Sequence, residues 1–204
     1  MAVSRRFVIL GLASAAAVVA GCDRVASPIA KPAFKAVDIT GANYATELSL
    51  PDADGKPRTL AEFKGRVVVV FFGFTQCPDV CPATMFELAE VKKALGKDGD
   101  RVQGIFVTVD PERDTPEVLK AYVSNFSPDF VALRGTLEQT RAVAKSFKVY
   151  FSKAPGKTKD SYTIDHTAGS YVFDTKGQPR LFTRYGSGAQ PLIDDLRILL
   201  AEKG

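Results

Sequence analysis

One stretch of this sequence restricts the fold more than any other, the continuous apolar and β-branched run RVVVVFFG at residues 66–73. A strand with one face in solvent alternates apolar and polar residues, and this run does not alternate. Such a run is typical of a strand that is buried on both faces, as in the middle of the sheet of an α/β protein. The sequence therefore predicts a central strand covered by helices.

Helical and strand patterns alternate along the rest of the chain. A helix is predicted over Thr84–Leu95, with Pro82 in its first turn, and a second buried strand over Val102–Val109. Two more helices, a hairpin and a closing helix are predicted over Pro116–Phe126, Thr136–Phe147, Gly169–Tyr185 and Pro191–Glu202. A βαβ unit followed by ββα predicts the α/β class, with a thioredoxin-like fold in which a central mixed sheet is flanked by helices.

The N-terminus has the pattern of an export signal. Two arginines precede an apolar run that is too short for a comfortable bilayer span, and small residues then lead to Cys22. Residues 19–22 resemble a bacterial lipobox, in which the cysteine is acylated and becomes the first residue of the mature chain. The expected organisation is a lipoprotein-type signal peptide over residues 1–21, a membrane tether over 22–45 and one domain over 46–204. The expected location is the bacterial periplasm, anchored to the inner membrane.

Charge and composition exclude other classes. Removal of residues 1–21 takes away two arginines and no acidic residue, which lowers the formal net charge from +4 to +2. No dense basic patch is present, so nucleic-acid binding is not expected. No exposed apolar stripe requires a dimer, so a monomer is expected.

The remaining two cysteines, Cys77 and Cys81, follow the central strand in the segment FTQCPDVCP. The turn between a strand and a helix N-terminus favours thiolate over thiol, because the helix end carries partial positive charge and free N–H groups. The closed loop is too small for a disulfide to stabilise the fold much. A redox pair and a metal site both remain open, although three intervening residues, instead of two, suit two sulfurs that converge on one ion.

The chain contains one histidine, His166, in the segment YTIDHT before the last strand pair. In a thioredoxin-like fold this segment lies beside the turn that carries the cysteines. Two thiolates and one imidazole suit copper(I) and can adapt to copper(II) with a further ligand. Zinc is less well served, since structural zinc sites use four protein ligands.

Three separated motifs together resemble the Sco (SenC-type) family of copper proteins associated with cytochrome c oxidase assembly. They are FFGFTQCPDVCPATM, FVTVDPERDTP and YTIDHT, and the resemblance covers about residues 46–203. It implies copper(I) or copper(II) held by Cys77, Cys81 and His166, with the cysteines forming a redox-active pair. It also implies delivery of copper to, or thiol reduction of, the dicopper site of oxidase subunit II, with that subunit or another copper chaperone as partner.

Two acidic residues are candidates for supporting the metal ligands without binding the ion themselves. Asp110 ends the second buried strand, where α/β folds assemble their sites, although the more ordinary role for an aspartate there is to cap the following turn. Asp165 could orient His166, although adjacent residues on an extended strand point to opposite faces.

Three other functions use the same cysteines. A periplasmic thiol-disulfide oxidoreductase would need no histidine, and a redox sensor would signal through its disulfide state. A peroxidase is disfavoured, since Thr75 lies too close in sequence to Cys77. The main expectation is a metallochaperone, which is not an enzyme unless thiol exchange is its activity.

Overall fold

A computed structural model describes residues 33–156, 158 and 161–202 of the chain. Within these residues the strands are β1 (Val37–Asp38), β2 (Ser49–Pro51), β3 (Pro57–Thr59), β4 (Val67–Gly73), β5 (Val102–Thr108), β6 (Val131–Leu133), β7 (Phe151–Pro155), β8 (Tyr162–His166), β9 (Gly169–Phe173) and β10 (Pro179–Arg184). The α-helices are α1 (Val80–Ala94), α2 (Pro116–Ser124), α3 (Leu137–Ser146) and α4 (Ala189–Ala201).

The main sheet has six strands in the order β1-β10-β9-β4-β5-β6. Strand β4 pairs in parallel with β5 and antiparallel with β9, so the sheet is mixed. All seven residues of β4 are buried, because strands cover both of its edges and helices flank the sheet. The predicted central strand and the α/β, thioredoxin-like class are confirmed.

The helices begin where local chemistry favours a helix start. The Thr115 hydroxyl accepts a hydrogen bond from the Val118 N–H, and Pro116 occupies the first helical position of α2. Helix α1 begins at Val80, earlier than the predicted Thr84, which places Cys81 in its first turn. The side chain of Cys81 is therefore part of the interface between helix and sheet.

Two hairpins of the described residues, β2–β3 and β7–β8, lie outside the main sheet, and the register of β7–β8 pairs Phe151 with His166. The sequence pattern does not predict β7–β8, because its two five-residue strands mix polar residues with a proline and contain no long apolar run. The hairpin matters for the site, because His166 is the last residue of β8.

The segment before the predicted domain boundary also contacts the domain. The backbone N–H groups of Lys35 and Ala36 each donate to the buried carboxylate of Asp195 at 2.8 Å, and β1 pairs with β10. Residues from about 35 onward, which the sequence assigns to the tether, thus lie against α4 and the edge of the sheet. The predicted signal peptide and Cys22 lie outside the described residues. In the part of the chain that the structure covers, no helix combines the length and apolar character that crossing a bilayer requires.

Candidate metal centre

Both cysteines lie at the C-terminal end of β4. The chain leaves β4 through a turn in which the N–H of Cys77 donates to the carbonyl of Phe74 at 3.2 Å. The N–H of Cys81, at the start of α1, donates to the Sγ of Cys77 at 3.3 Å. A helix N-terminus has free N–H groups that favour negative charge, so this turn presents Cys77 where a thiolate is stabilised.

His166 reaches the same place from the end of β8. Its Nε2 lies 3.5 Å from the Sγ of Cys81, and its Nδ1 lies 3.0 Å from the carbonyl oxygen of Thr167. A carbonyl can only accept a hydrogen bond, so this contact requires the proton on Nδ1 and leaves the Nε2 lone pair facing the sulfurs. The imidazole also makes edge contacts with the rings of Phe71 and Phe74, with centroids 5.9 and 6.0 Å away.

The three donor atoms form one group, since the two sulfurs and one imidazole nitrogen all lie within 4.8 Å of one another. Metal–sulfur and metal–nitrogen bonds of about 2.3 and 2.0 Å separate the donors of a trigonal site by roughly 4 Å. Cys81 is fully buried, whereas Cys77 and His166 are half-buried, so the group opens to solvent on one side. Among the described residues this group contains three candidate ligands, one fewer than structural zinc uses, and soft thiolates select copper(I).

The two thiols differ in acidity. The hydrogen bond from the Cys81 side chain lowers the pKa of Cys77 well below the usual range, with further help from the backbone N–H groups of Asp79 and Cys81, although burial opposes the shift. The same hydrogen bond, together with burial, raises the pKa of Cys81. In the reduced, metal-free protein Cys77 is therefore the thiolate and Cys81 the thiol that donates to it.

This asymmetry predicts selective alkylation of the reduced, metal-free protein. At about pH 6 an ordinary thiol with a pKa of about 8.5 is almost fully protonated and reacts slowly. Because its pKa is lowered, Cys77 stays ionised at this pH, and iodoacetamide should modify it first. Peptide mass spectrometry after a short pulse reads the result. Equal labelling of Cys81, or labelling of Cys77 only above about pH 8, would contradict the assigned thiolate.

Gly73, the last residue of β4, was not identified from the sequence. A Cβ at this position would lie 2.8 Å from the Sγ of Cys81, closer than packed atoms approach. A glycine at the end of a buried strand signals a close approach of another group, and here that group is the thiol.

The two acidic candidates lie in different surroundings. Asp110 is buried, accepts a 2.9 Å hydrogen bond from the Tyr162 hydroxyl, and pairs with the guanidinium of Arg113. That guanidinium stacks 3.6 Å from the centre of the Tyr162 ring, so Asp110 connects the loop after β5 with the hairpin that carries His166. Asp165 is exposed, and the His166 ring donates its Nδ1 hydrogen bond to the carbonyl of Thr167 instead.

Comparison with known proteins identifies similar chains. The SCO1/SenC family model matches residues 37–201. The mitochondrial SCO2 homologue of Mus musculus is 36% identical over 156 residues, which span 74% of this chain and 60% of that protein. A SCO2-like protein of Rickettsia felis is 36% identical over 133 residues, 65% of each chain. The chain thus spans less than two thirds of the length of these relatives.

Solved structures share the fold over nearly their whole length. Copper-bound ScoI of Bradyrhizobium japonicum is 42% identical, with a TM-score of 0.67 over 76% of this chain and 98% of that one. A SCO1/SenC family lipoprotein of Bacillus anthracis is 26% identical, with a TM-score of 0.66 over 82% and 99%. BsSco, a Sco-family cytochrome c oxidase assembly protein with an identified disulfide switch, is 25% identical, with a TM-score of 0.60 over 79% and 96%.

Proposed function

Because this chain belongs to the SCO1/SenC family, we propose that it binds one copper ion through Cys77, Cys81 and His166 and serves cytochrome c oxidase assembly. The observation that carries the proposal is the convergence of the two sulfurs and the Nε2 within 4.8 Å. The copper bound to ScoI of Bradyrhizobium japonicum, the relative at 42% identity, supports the choice of metal.

Each ligand has a distinct part in holding the ion. Cys77 is already ionised and half-exposed, so it meets an incoming ion first. Cys81 must lose its proton when it coordinates, and the proton leaves to solvent or to the donor. His166 supplies a neutral nitrogen through Nε2, which the Thr167 carbonyl holds in place. Copper supplies the soft, redox-active centre that thiolate ligands select.

Release of the ion can follow from thiol oxidation. If Cys77 and Cys81, both thiolates while they hold the ion, form a disulfide, two electrons leave the pair and both sulfur ligands are lost. The two electrons then pass to a partner disulfide, whose sulfurs become thiolates that can take the copper ion or protons from solvent. Delivery of copper to the dicopper site of oxidase subunit II and reduction of its cysteines are thus compatible uses of one site. The donor of the copper would be another chaperone or the free pool.

A second candidate function, thiol-disulfide exchange without metal, is favoured by one observation. Cys77 combines a lowered pKa with partial exposure, as an attacking thiol does, and buried Cys81 lies beside it as the resolving thiol. An oxidoreductase or a redox sensor would use this pair and would not need the imidazole.

The location is also a proposal. The lipobox at residues 19–22 and the likeness to a lipoprotein of Bacillus anthracis support attachment to the periplasmic face of the inner membrane through acylated Cys22. Residues 1–21 would then be removed. The tether would be the segment from Cys22 to about residue 34, followed by the copper-binding domain.

Titration of the reduced protein with copper(II) tests the proposed function. A visible sulfur-to-copper charge-transfer band should grow and stop at one equivalent, because a single group of donors is proposed. Protein first oxidised to the disulfide is the control and should give no band. Absence of the band in the reduced protein, or growth beyond one equivalent, would count against the three-ligand site.

A further inference from the structure

Asp114 is a buried carboxylate beside the site, and it receives hydrogen bonds from two neighbouring segments. The Thr75 hydroxyl donates to its Oδ1 at 2.6 Å, and the Thr75 backbone N–H donates to the carboxylate at 3.2 Å. From the other side, the Thr108 hydroxyl donates to Oδ2 at 2.5 Å. Asp114 itself is completely buried. The carboxylate therefore joins the segment after β4 to the end of β5.

The residue held by Asp114 belongs to the turn that presents the first cysteine. In that turn the N–H of Cys77 donates to the carbonyl of Phe74, and Thr75 is the residue after Phe74. Thr75 has two groups that can donate a hydrogen bond to Asp114, its hydroxyl and its backbone N–H, and both do so. A shift of Thr75 would rotate the whole turn, and the Sγ of Cys77 would move with it.

A contribution to folding stability does not explain why a carboxylate is buried at this position. Burial raises the pKa of Asp114 despite the hydrogen bonds from Thr108 and Thr75, and the negative charge of Asp110 adds to the shift. A raised pKa in the folded state means that ionisation at neutral pH costs folding free energy instead of adding to it. Buried polar networks of this kind hold one local arrangement at the expense of stability.

We propose that Asp114 is a positioning residue for the copper site, which it serves by fixing the Phe74–Cys77 turn through Thr75. This inference rests on the proposed function and goes beyond the three ligands. Residues behind metal ligands commonly contribute about 10- to 100-fold to metal affinity. An effect in this range is expected here, although the hydrogen bonds of the Asp114 carboxylate go to Thr75 and Thr108 and it interacts with the ligand Cys81 through its charge.

The test compares Asp114→Asn with Thr75→Val and Thr75→Ser. The amide of Asn cannot accept from all three donors, so copper(I) affinity, measured by competition with a chromophoric chelator, should fall about 10- to 100-fold. Thr75→Val removes the hydroxyl donor at nearly constant volume and should weaken binding in the same direction. Thr75→Ser keeps both donors, so its copper affinity should stay within about twofold of the starting protein.

Asp195→Asn is the matched control, since Asp195 is also a fully buried carboxylate that accepts backbone N–H groups, but it binds the segment near residue 35. It should lower Tm and leave copper affinity unchanged. The proposal is overturned if Asp114→Asn and Thr75→Val keep the starting affinity and charge-transfer spectrum, or if Asp195→Asn weakens copper binding as much as they do.

A second readout separates failure of this inference from failure of the proposed function. In reduced, metal-free protein, a displaced turn weakens the hydrogen bonds that ionise Cys77, so Asp114→Asn should slow alkylation of Cys77 at about pH 6. If the unmodified protein binds no copper, the proposed function fails, and the alkylation rate still decides whether Asp114 positions the turn. An unchanged rate in the variant would overturn the positioning role.

Discussion

Replacement of His166 by alanine should lower copper affinity more than any change behind the ligands, by over about 100-fold. The loss is large because the imidazole supplies one of only three donor atoms in the group and is already aimed at the sulfurs by the Thr167 carbonyl. Two thiolates alone would leave the ion open to solvent or to other ligands. Chelator competition gives the affinity, and the position of the charge-transfer band gives the change in coordination.

The same variant separates the two candidate functions. Thiol-disulfide exchange by Cys77 needs no imidazole, so a protein that acts only as an oxidoreductase should keep its exchange activity within a few-fold in His166→Ala. Added free imidazole should partly restore the band of the variant if the empty ligand position is the cause. A charge-transfer band that survives unchanged in His166→Ala would end the three-ligand hypothesis.

The second large effect is expected at Gly73. The Cβ of Gly73→Ala would meet the Sγ of Cys81 and a ring carbon of Phe71 at 2.8 Å, and a ring carbon of Phe106 at 3.0 Å. These neighbours are buried, so they have little room to move, and such overpacking costs about 1–3 kcal/mol of unfolding free energy. The sulfur is one of the groups that must shift, so copper affinity should fall with stability. Urea unfolding and chelator competition measure the two effects.

Gly104→Ala provides the comparison for overpacking away from the site. Gly104 lies in the neighbouring strand β5, and its Cβ would meet ring atoms of Phe130 at 2.6 Å and a methyl carbon of Leu88 at 3.0 Å. It should lose a similar amount of stability and keep copper affinity. If Gly73→Ala kept its copper affinity as Gly104→Ala is expected to, the close contact with Cys81 would have no part in copper binding.

Much of the fold could be predicted from patterns among near neighbours in the chain. The buried run at residues 66–73, the helical pattern of apolar residues and the proline in a first helical turn led to the central strand and to helices close to their observed positions. These features depend on residues within one turn or one strand of each other. The hairpin β7–β8 was missed because its short, polar strands pair only with each other and contain little apolar surface.

At the site, too, features set by near neighbours could be predicted and contacts between distant residues could not. The sequence places Cys77 and Cys81 between a strand and a helix, which is enough to predict a thiolate pair. It offers no local reason for Gly73 to be a contact of Cys81 or for Asp114 to bind Thr75, because these partners are distant in the chain. A signal was present for Gly73, as a glycine in a buried strand, but it did not say which group approaches.

What the sequence determined by itself is therefore the α/β order, the thiolate-bearing turn and the residue types suited to copper. The tertiary structure alone decided that His166, 85 residues from Cys81, turns its Nε2 toward that sulfur, that the carbonyl of Thr167 orients the ring, and that Cys77 is the more acidic thiol. Periodicity and helix capping act between near neighbours, whereas distances and acidities at the site depend on how separate elements pack and which charges and hydrogen bonds they bring together.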